Sequence, residues 1–283
     1  MSNKGFLILA QNNKDVDYIK QAYALALSIK SSQTKYNSVS LVTNDKVPEE
    51  YANAFDNVLS IPWEDNAKDS DWKIENRWKL YHVSPYEETI VLDSDMLFLE
   101  DITMWWKHLE NYDLKFCSKI KNYKADIIKQ DTIHRKAFIS NSLPNVYFAL
   151  HYFKKSEVAH EFYKTLEFVV NNWEYCYGKF APEEYQNWLS IDLASAIAIE
   201  ILGISHSVVD LNGPLEFVHM KPAIQGWALT PSRWQDTVHS LFTNNGELLI
   251  ANIKQFKLFH YVEKDFITPV ILSKLRNLAD ARR

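Results

Sequence analysis

The sequence has few cysteines and few glycines. Its 283 residues include two cysteines, Cys117 and Cys176, and six glycines. Two cysteines cannot build a disulfide framework or a four-thiolate zinc site, so a reducing compartment is the simplest expectation. The chain also lacks a glycine-rich loop of the kind that cradles phosphates, and it has no signature of a serine or cysteine nucleophile. P-loop nucleotide binding and covalent catalysis are therefore not indicated.

Long apolar runs are also missing. The first apolar run of the chain is too short for a signal peptide, and the run at 194–204 is interrupted by Glu200. The composition, with 47% hydrophobic and 24% charged residues, is typical of a globular protein. No linker rich in proline, glycine or serine divides the chain. We therefore expect a cytoplasmic protein of one domain that does not insert into a membrane.

Negative charge predominates, with one exception. The formal net charge of −5 is unfavourable for general binding of nucleic acids. The segment 115–136 has seven basic and two acidic residues, a charge of +5, which leaves −10 for the rest of the chain. Such a segment is usually a solvated surface, although it could also contact an anionic polymer. Its basic residues are Lys115, Lys119, Lys121, Lys124, Lys129, Arg135 and Lys136.

Strand and helix patterns alternate along the chain. In the first half, apolar runs at 5–10, 39–42, 58–61 and 89–92 predict buried strands, and helical spacing predicts helices over 17–29 and 74–83. In the second half, the patterns predict strands at 146–153, 215–219 and 257–261 and helices over 157–171 and 191–202. Strands separated by helices favour an α/β fold with a mostly parallel central sheet flanked by helices.

Polar residues follow three of the predicted strands, at the carboxyl ends where parallel sheets bind ligands. Gln11 and Asn12 follow the first strand, Asn44 follows the second, and Asp93-Ser94-Asp95 follows the fourth. Two carboxylates held at the end of a buried strand would repel each other, but together they can share a hard divalent cation. Such an ion keeps positions open for phosphate oxygens. The alternative is an ordinary turn with solvated aspartates.

The segment 77–102, RWKLYHVSPYEETIVLDSDMLFLEDI, resembles the GT-A-fold, nucleotide-sugar-dependent glycosyltransferases, and most nearly their glycogenin-like, family 8-type retaining group. These enzymes share a basic residue before an apolar strand that ends in an Asp-x-Asp motif. Weaker resemblance covers most of the chain, in ILAQNN, VYFALHYFKKS, IDLASAIA and FHYVEK. The resemblance implies a single, Rossmann-like GT-A domain. Its nucleotide-sugar-binding half would span 1–110, and an acceptor-binding half with a C-terminal metal-ligand segment would span 111–283.

The resemblance also implies a metal site. Asp93 would approach the ribose and the metal ion, and Asp95 would bind the metal. His260 would be the third protein ligand, with His219 as its rival. Two carboxylates and an imidazole suit Mn²⁺, and Mg²⁺ with more water in its shell is the alternative.

A second group of residues would contact the donor, which the resemblance implies is a UDP-sugar. Arg77 would bind the diphosphate or the sugar with its guanidinium fork, and Lys264 would neutralise the leaving diphosphate. Asp192 would lie near the donor sugar and orient its hydroxyls; the alternative is a cap for the helix that begins there. The other expected nucleotide contacts are Ala10, Gln11, Asn12, Asn44, Asp93 and Ser94.

The expected function is therefore metal-dependent transfer of a sugar to a hydroxyl group. A cation held against the diphosphate would lower the barrier by stabilising the leaving group. The acceptor could be a glycan or a protein. It could also be the hydroxymethylated bases of phage DNA, in which case the protein would act in the host cytoplasm. A non-catalytic nucleotide-sugar-binding protein is the third hypothesis, and the oligomeric state is not indicated.

Overall fold

The structure, a computed structural model, describes residues 3–128, 135–183, 188–227 and 233–282. Its strands are β1 (Lys4–Leu9), β2 (Val39–Val42), β3 (Asn57–Leu59), β4 (Glu88–Leu92), β5 (Met96–Phe98), β6 (Leu114–Cys117), β7 (Lys119–Lys121), β8 (Tyr147–Lys154), β9 (Val209–Asp210), β10 (Glu216–His219), β11 (Ser240–Phe242), β12 (Leu248–Ile250), β13 (Ile253–Lys254) and β14 (Leu258–His260). Its α-helices are α1 (Tyr18–Ser32), α2 (Glu49–Ala52), α3 (Leu80–Val83), α4 (Thr103–Leu109), α5 (Lys136–Ser140), α6 (Glu157–Asn171), α7 (Trp173–Phe180), α8 (Ile191–Leu202), α9 (Ser205–Val208), α10 (Trp234–Thr237) and α11 (Pro269–Asp280). Short 3-10 helices lie at Arg77–Lys79, Pro222–Gln225 and Lys264–Phe266.

The central sheet has seven described strands in the order β3-β2-β1-β4-β8-β6-β9. Strand β1 pairs in parallel with β2 and β4, β2 pairs in parallel with β3, and β6 pairs in parallel with β9. Strand β8 runs antiparallel between β4 and β6. The predicted α/β fold with a mostly parallel central sheet is therefore confirmed.

Helices cover both faces of this sheet. Phe6 and Ile8 of β1 belong to one buried cluster, together with residues of α1 and α11. Leu7 and Leu9 belong to a second buried cluster, together with residues of α6 and α8. The alternation follows from the pleat, which turns successive side chains to opposite faces. Burial on both faces explains why β1, β2 and β4 have continuous apolar sequences.

Two predicted helices match the structure, and a third is wrong in its first turn. Helices α6 and α8 have the predicted bounds. The helix predicted over 74–83 begins only at Arg77, as a 3-10 turn that continues into α3. The reason is a tertiary contact of Asn76, whose side-chain amide donates to Gln11 Oε1 at 2.9 Å and to Asp65 Oδ1 at 2.5 Å. These bonds hold the segment against other loops rather than in a helix.

A second sheet, in the order β5-β14-β10-β7, brings the end of the chain to the acidic motif. Strand β14 is antiparallel to β5, so His260 lies opposite Met96, the residue after Asp95. Strand β10 is parallel to β14, with His219 opposite His260. Strands β11, β12 and β13 form a small antiparallel sheet. Over the described ranges of the chain, no helix is both long enough and apolar enough to span a bilayer.

Candidate functional site

A cleft of about 880 Å³ opens where the carboxyl ends of β1 and β4 meet the second sheet. Its described lining does not include Ala10, Asn12 or Asn44, three of the residues expected to contact the nucleotide. The other predicted site residues do line it, and they are Gln11, Arg77, Asp93, Ser94, Asp95, Asp192, His260 and Lys264. The fold thus brings together residues that are far apart in the sequence.

Asn12 and Asn44 brace the loops beside the cleft. Asn12 accepts a hydrogen bond from the backbone N–H of Ile19 at 3.1 Å. Asn44 accepts one from the backbone N–H of Ile61 at 3.0 Å. Ala10 is buried. The contacts with a nucleotide that the sequence suggested for these three residues stay predictions.

The acidic motif forms the turn between β4 and β5. The backbone N–H of Asp93 donates to the carbonyl of Ala149 at 3.0 Å, which fixes the start of the turn. Asp95 is 5% exposed, and its Oδ2 accepts a hydrogen bond from Nε2 of His260 at 2.9 Å and a second one from the ammonium of Lys264. One potential ligand atom from each of Asp93, Asp95 and His260 lies within 4.8 Å of the others. The side chains of the two aspartates therefore converge instead of pointing into bulk water.

The charge of Asp95 is stabilised by its neighbours. Burial alone would raise the pKa of its carboxyl group, but His260 and Lys264 together hold that pKa well below its usual range. Asp93 is paired with the guanidinium of Arg77, whose side chain is 19% exposed. Each of the two acids thus has a cationic or imidazole partner that an incoming ion would have to replace or join.

The chemistry of this ligand set fits a divalent metal. Two carboxylates offer hard oxygen ligands and His260 offers an imidazole nitrogen, a mixture that suits Mn²⁺. Nδ1 of His260 is buried and has no hydrogen-bond partner among the described residues. The rival ligand, His219, lies beside it, with the two rings stacked at a centroid distance of 4.7 Å. His219 lines the cleft but is not part of the three-residue group of potential ligand atoms found in the described chain.

Arg77 is placed by a polar network that the sequence did not reveal. Gln11 donates to Asp65 Oδ2 at 2.9 Å, and Asn76 donates to both of these residues. Burial opposes ionisation of Asp65, yet the hydrogen bonds from Asn76 and Gln11 lower its pKa. Because Asn76 precedes Arg77 directly, the network fixes the position from which the guanidinium reaches Asp93.

Asp192 does not cap its own helix, because Ser190 does so by accepting a hydrogen bond from the N–H of Leu193. The carboxylate of Asp192 instead accepts from the backbone N–H of Phe148 at 2.8 Å and from Arg135 at 2.8 Å. The Arg135 side chain is only 7% exposed, and its guanidinium lies 3.6 Å from the centroid of the Tyr147 ring. Asp192 therefore joins α8 to β8 at the wall of the cleft.

The described part of the basic segment, residues 115–128, 135 and 136, does not form one continuous basic surface. Lys115 is buried, with its ammonium 4.1 Å from the centroid of the Tyr112 ring, and Lys119 donates to the carbonyl of Gly213 at 2.6 Å. Lys121 pairs with Glu216 at 2.9 Å, and Arg135 pairs with Asp192. Lys124 is exposed, whereas Lys129 lies outside the described residues. The structural support for DNA binding by this segment is correspondingly small.

Comparison with known proteins finds the fold among glycosyltransferases. No family model and no curated protein sequence matches the chain. The solved galactosyltransferase LgtC, in complex with donor and acceptor sugar analogues, matches with a TM-score of 0.55 and 13% identity over 98% of this chain and 95% of that one. Mouse xyloside xylosyltransferase 1 matches with a TM-score of 0.52 and 8% identity over 91% of this chain and 97% of that one.

A third solved structure, the glycosyltransferase GlyE of Streptococcus pneumoniae TIGR4, is much longer. This chain spans 45% of its length, and the match covers 74% of this chain with 11% identity and a TM-score of 0.40. At the identities of the first two matches the likeness establishes the fold. The chain has the GT-A fold, as the resemblance of the segment 77–102 implied.

Proposed function

We propose that the protein is a metal-dependent glycosyltransferase that moves a sugar from a UDP-sugar donor to a hydroxyl group of an acceptor. The observation that carries the proposal is the convergence of Asp93, Asp95 and His260 in the cleft at the end of β4. The fold supports it, because solved glycosyltransferases share it, one of them with donor and acceptor sugar analogues bound. Ligands of open α/β sheets bind at this edge.

Asp93, Asp95 and His260 would hold the ion, Mn²⁺ or Mg²⁺. When bound there, the ion would supply positive charge that stabilises the departing diphosphate. Arg77 and Lys264 each contact one of the two carboxylates. These two side chains can exchange a carboxylate oxygen for a phosphate oxygen, and Arg77 can bind two phosphate oxygens at once. They would thereby orient the diphosphate and balance its charge.

The reaction breaks the bond between the anomeric carbon and the diphosphate, and the electron pair leaves with the diphosphate. A new bond forms between the anomeric carbon and the acceptor oxygen, whose proton passes to an oxygen of the released diphosphate or to water. Asp192, held by the N–H of Phe148 and by Arg135, would orient the donor sugar at the wall of the cleft. Gln11 and Tyr18, which line the same cleft near the end of β1, would face the nucleoside.

The proposal is tested by donor hydrolysis and thermal unfolding with a panel of nucleotide sugars, each with Mn²⁺ or with a chelator. We expect at least one UDP-sugar to raise the melting temperature with Mn²⁺ and to be hydrolysed slowly. The variant Asp95→Asn should reduce hydrolysis by about 100-fold, the size of effect seen when one transition-state electrostatic contact is lost. The matched control is Asp113→Asn, an exposed acid just before β6, at the opposite end of the sheet.

The outcomes separate the hypotheses. If no nucleotide sugar or nucleotide stabilises the wild-type protein with Mn²⁺, the proposed function is wrong. Metal-dependent stabilisation by UDP-sugars without hydrolysis or transfer to any acceptor would instead indicate the non-catalytic binding protein. Asp95 is buried and paired, so the folded state of Asp95→Asn has to be verified by its circular dichroism and its urea midpoint before its activity is interpreted.

A further inference from the structure

Lys221 differs from the other described lysines and arginines of the cleft in having neither an ion-pair partner nor a hydrogen-bond acceptor. Arg77, Arg135 and Lys264 each contact a carboxylate of Asp93, Asp192 or Asp95. Lys73 donates to the carbonyls of Ala67 and Lys68, and Lys136 has contacts of its own. Lys221 lines the cleft, is exposed to it, and makes no side-chain hydrogen bond or ion pair with any residue that the structure describes.

Lys221 lies on the side of the second sheet away from β5. It follows β10 by two residues, and the strands of this sheet run in the order β5, β14, β10. His260 of β14 lies opposite Met96, the residue after Asp95, and His219 of β10 lies opposite His260. The order across this sheet is therefore Asp95, His260, His219 and then Lys221.

The surroundings of Lys221 favour an anionic ligand. The crowded walls of the cleft, and after them the guanidinium of Arg135, lower the pKa of its ammonium. A bound anion would oppose both effects, because it would add negative charge next to an ammonium that forms no ion pair with the described side chains. Arg135 cannot move away easily, since Asp192, the carbonyl of Val146 and the Tyr147 ring hold it in place.

The charges of the proposed donor complex leave Lys221 unmatched. A divalent ion would balance Asp93 and Asp95, the two negative charges of a nucleotide-sugar diphosphate would face Arg77 and Lys264, and Asp192 is already paired with Arg135. Lys221 then remains as a further positive charge, beyond His219 as seen from the acidic motif. Two largely exposed tryptophans, Trp72 (76%) and Trp188 (59%), also line the cleft and offer flat apolar surfaces of the kind on which a sugar ring packs.

We propose that Lys221 selects an acidic acceptor, by binding the carboxylate or phosphate group of a negatively charged saccharide. The inference rests on the proposed function, because it takes the rest of the cleft to be filled by the donor and its metal ion. Lys221 would be a specificity residue, and it takes no part in breaking the donor bond.

The test measures acceptor binding by the full chain loaded with UDP and Mn²⁺. The probes are glucose, glucuronate and glucose 6-phosphate, which share a ring and differ in charge, and their affinities are compared by ligand-observed NMR. We expect at least one of the two acidic sugars to bind about five- to tenfold more tightly than glucose, the range for a partly desolvated charge pair. The variant Lys221→Gln should abolish this preference, and Lys221→Arg should retain it. Glucuronate and glucose 6-phosphate distinguish the carboxylate from the phosphate.

The control is Lys107→Gln, which removes an exposed lysine of α4 and should keep the wild-type preference. Equal affinities of the wild-type protein for charged and neutral sugars would refute the proposal. So would a loss of UDP affinity in Lys221→Gln that matches its loss of sugar affinity, because Lys221 would then be a donor contact. Tight binding of a short DNA duplex that depends on Lys221, without a preference for acidic sugars, would also overturn it. Failure of UDP and Mn²⁺ to bind the wild-type protein would refute the proposed function instead.

Discussion

The ion pair between Arg135 and Asp192 is expected to contribute strongly to stability, because it is mostly removed from water. The Arg135 side chain is 7% exposed and that of Asp192 is 26% exposed, with Nη2 and Oδ2 at 2.8 Å. At a charge separation of about 4 Å and an effective dielectric constant of about 20, the attraction is about 4 kcal/mol. Partial exposure of Asp192 reduces this figure, so we expect a coupling free energy of about 2 kcal/mol.

A double-mutant cycle with Asp192→Asn and Arg135→Met measures that coupling. In Asp192→Asn the new amide oxygen can still accept a hydrogen bond from the N–H of Phe148, but the buried guanidinium of Arg135 has no counter-charge. We therefore expect a loss of about 3 kcal/mol in the free energy of unfolding. Arg135→Met leaves a carboxylate that water partly reaches, and we expect a loss of about 2 kcal/mol. The double variant should be about 2 kcal/mol more stable than the sum of the two losses predicts.

Equilibrium urea unfolding, followed by tryptophan fluorescence and circular dichroism together, gives the four free energies. Additive losses, within about 0.5 kcal/mol, would show that the two charges do not stabilise each other and would contradict the predicted coupling of Arg135 and Asp192. Donor hydrolysis by the same variants then shows whether Asp192 acts on the donor sugar in addition to stabilising the fold. If Asp192 orients the sugar, Asp192→Asn should lose more activity than Arg135→Met, although both weaken the same wall.

Two further predictions concern charged groups at and away from the cleft. Burial alone would raise the pKa of Asp101, but hydrogen bonds from Thr34 and Thr103 lower it to about 2. The charged Asp101 therefore contributes its full share to the free energy of unfolding above the unfolded pKa of 3.8, and this contribution is lost as the pH falls towards 2. After allowance for its exposure, Asp101→Asn should lower the free energy of unfolding by about 1 kcal/mol at neutral pH and by little at about pH 2, as measured by urea unfolding. A loss that does not change with pH would contradict this assignment. Lys264→Met removes the ammonium from Asp95. It should preserve or increase the Mn²⁺-dependent rise in melting temperature while reducing donor hydrolysis by about tenfold or more, and a loss of the Mn²⁺ effect would contradict the placement of Lys264.

The sheet and its acidic turn could be predicted from the sequence because their signals are local. The apolar runs that became β1, β2 and β4 are short, continuous and bounded by polar residues. Helices α6 and α8 were predicted from the spacing of their apolar residues, and in the structure Ser156 and Ser190 cap them at the predicted first residues. Once a parallel sheet is expected, the rule that ligands bind at carboxyl ends points to Asp93 and Asp95 without further information.

Contacts between distant segments were not predictable in this way. Arg135 was counted with a basic segment, but it is buried against Asp192, 57 positions along the chain. Asn76 interrupts a helical pattern because it bonds to Gln11, 65 positions away. Lys221 has no local signal beyond its place two residues after His219. For Arg135 and Asn76 the deciding partner comes from another strand or loop, and for Lys221 the deciding feature is its place in the cleft; periodicity carries no information about either.

The arrangement of charge explains how an acidic turn can exist in a buried place before any ion binds. Two adjacent carboxylates at the end of a buried strand would be costly without positive charge nearby. Arg77 and Lys264 provide it, one for each acid, and His260 adds a hydrogen bond to Asp95. In the proposed reaction these same cations turn from the carboxylates to the diphosphate when the ion takes their place. The positive charge that offsets the two buried carboxylates is then the charge that the donor needs, and Lys221, beyond His219, is left for the acceptor.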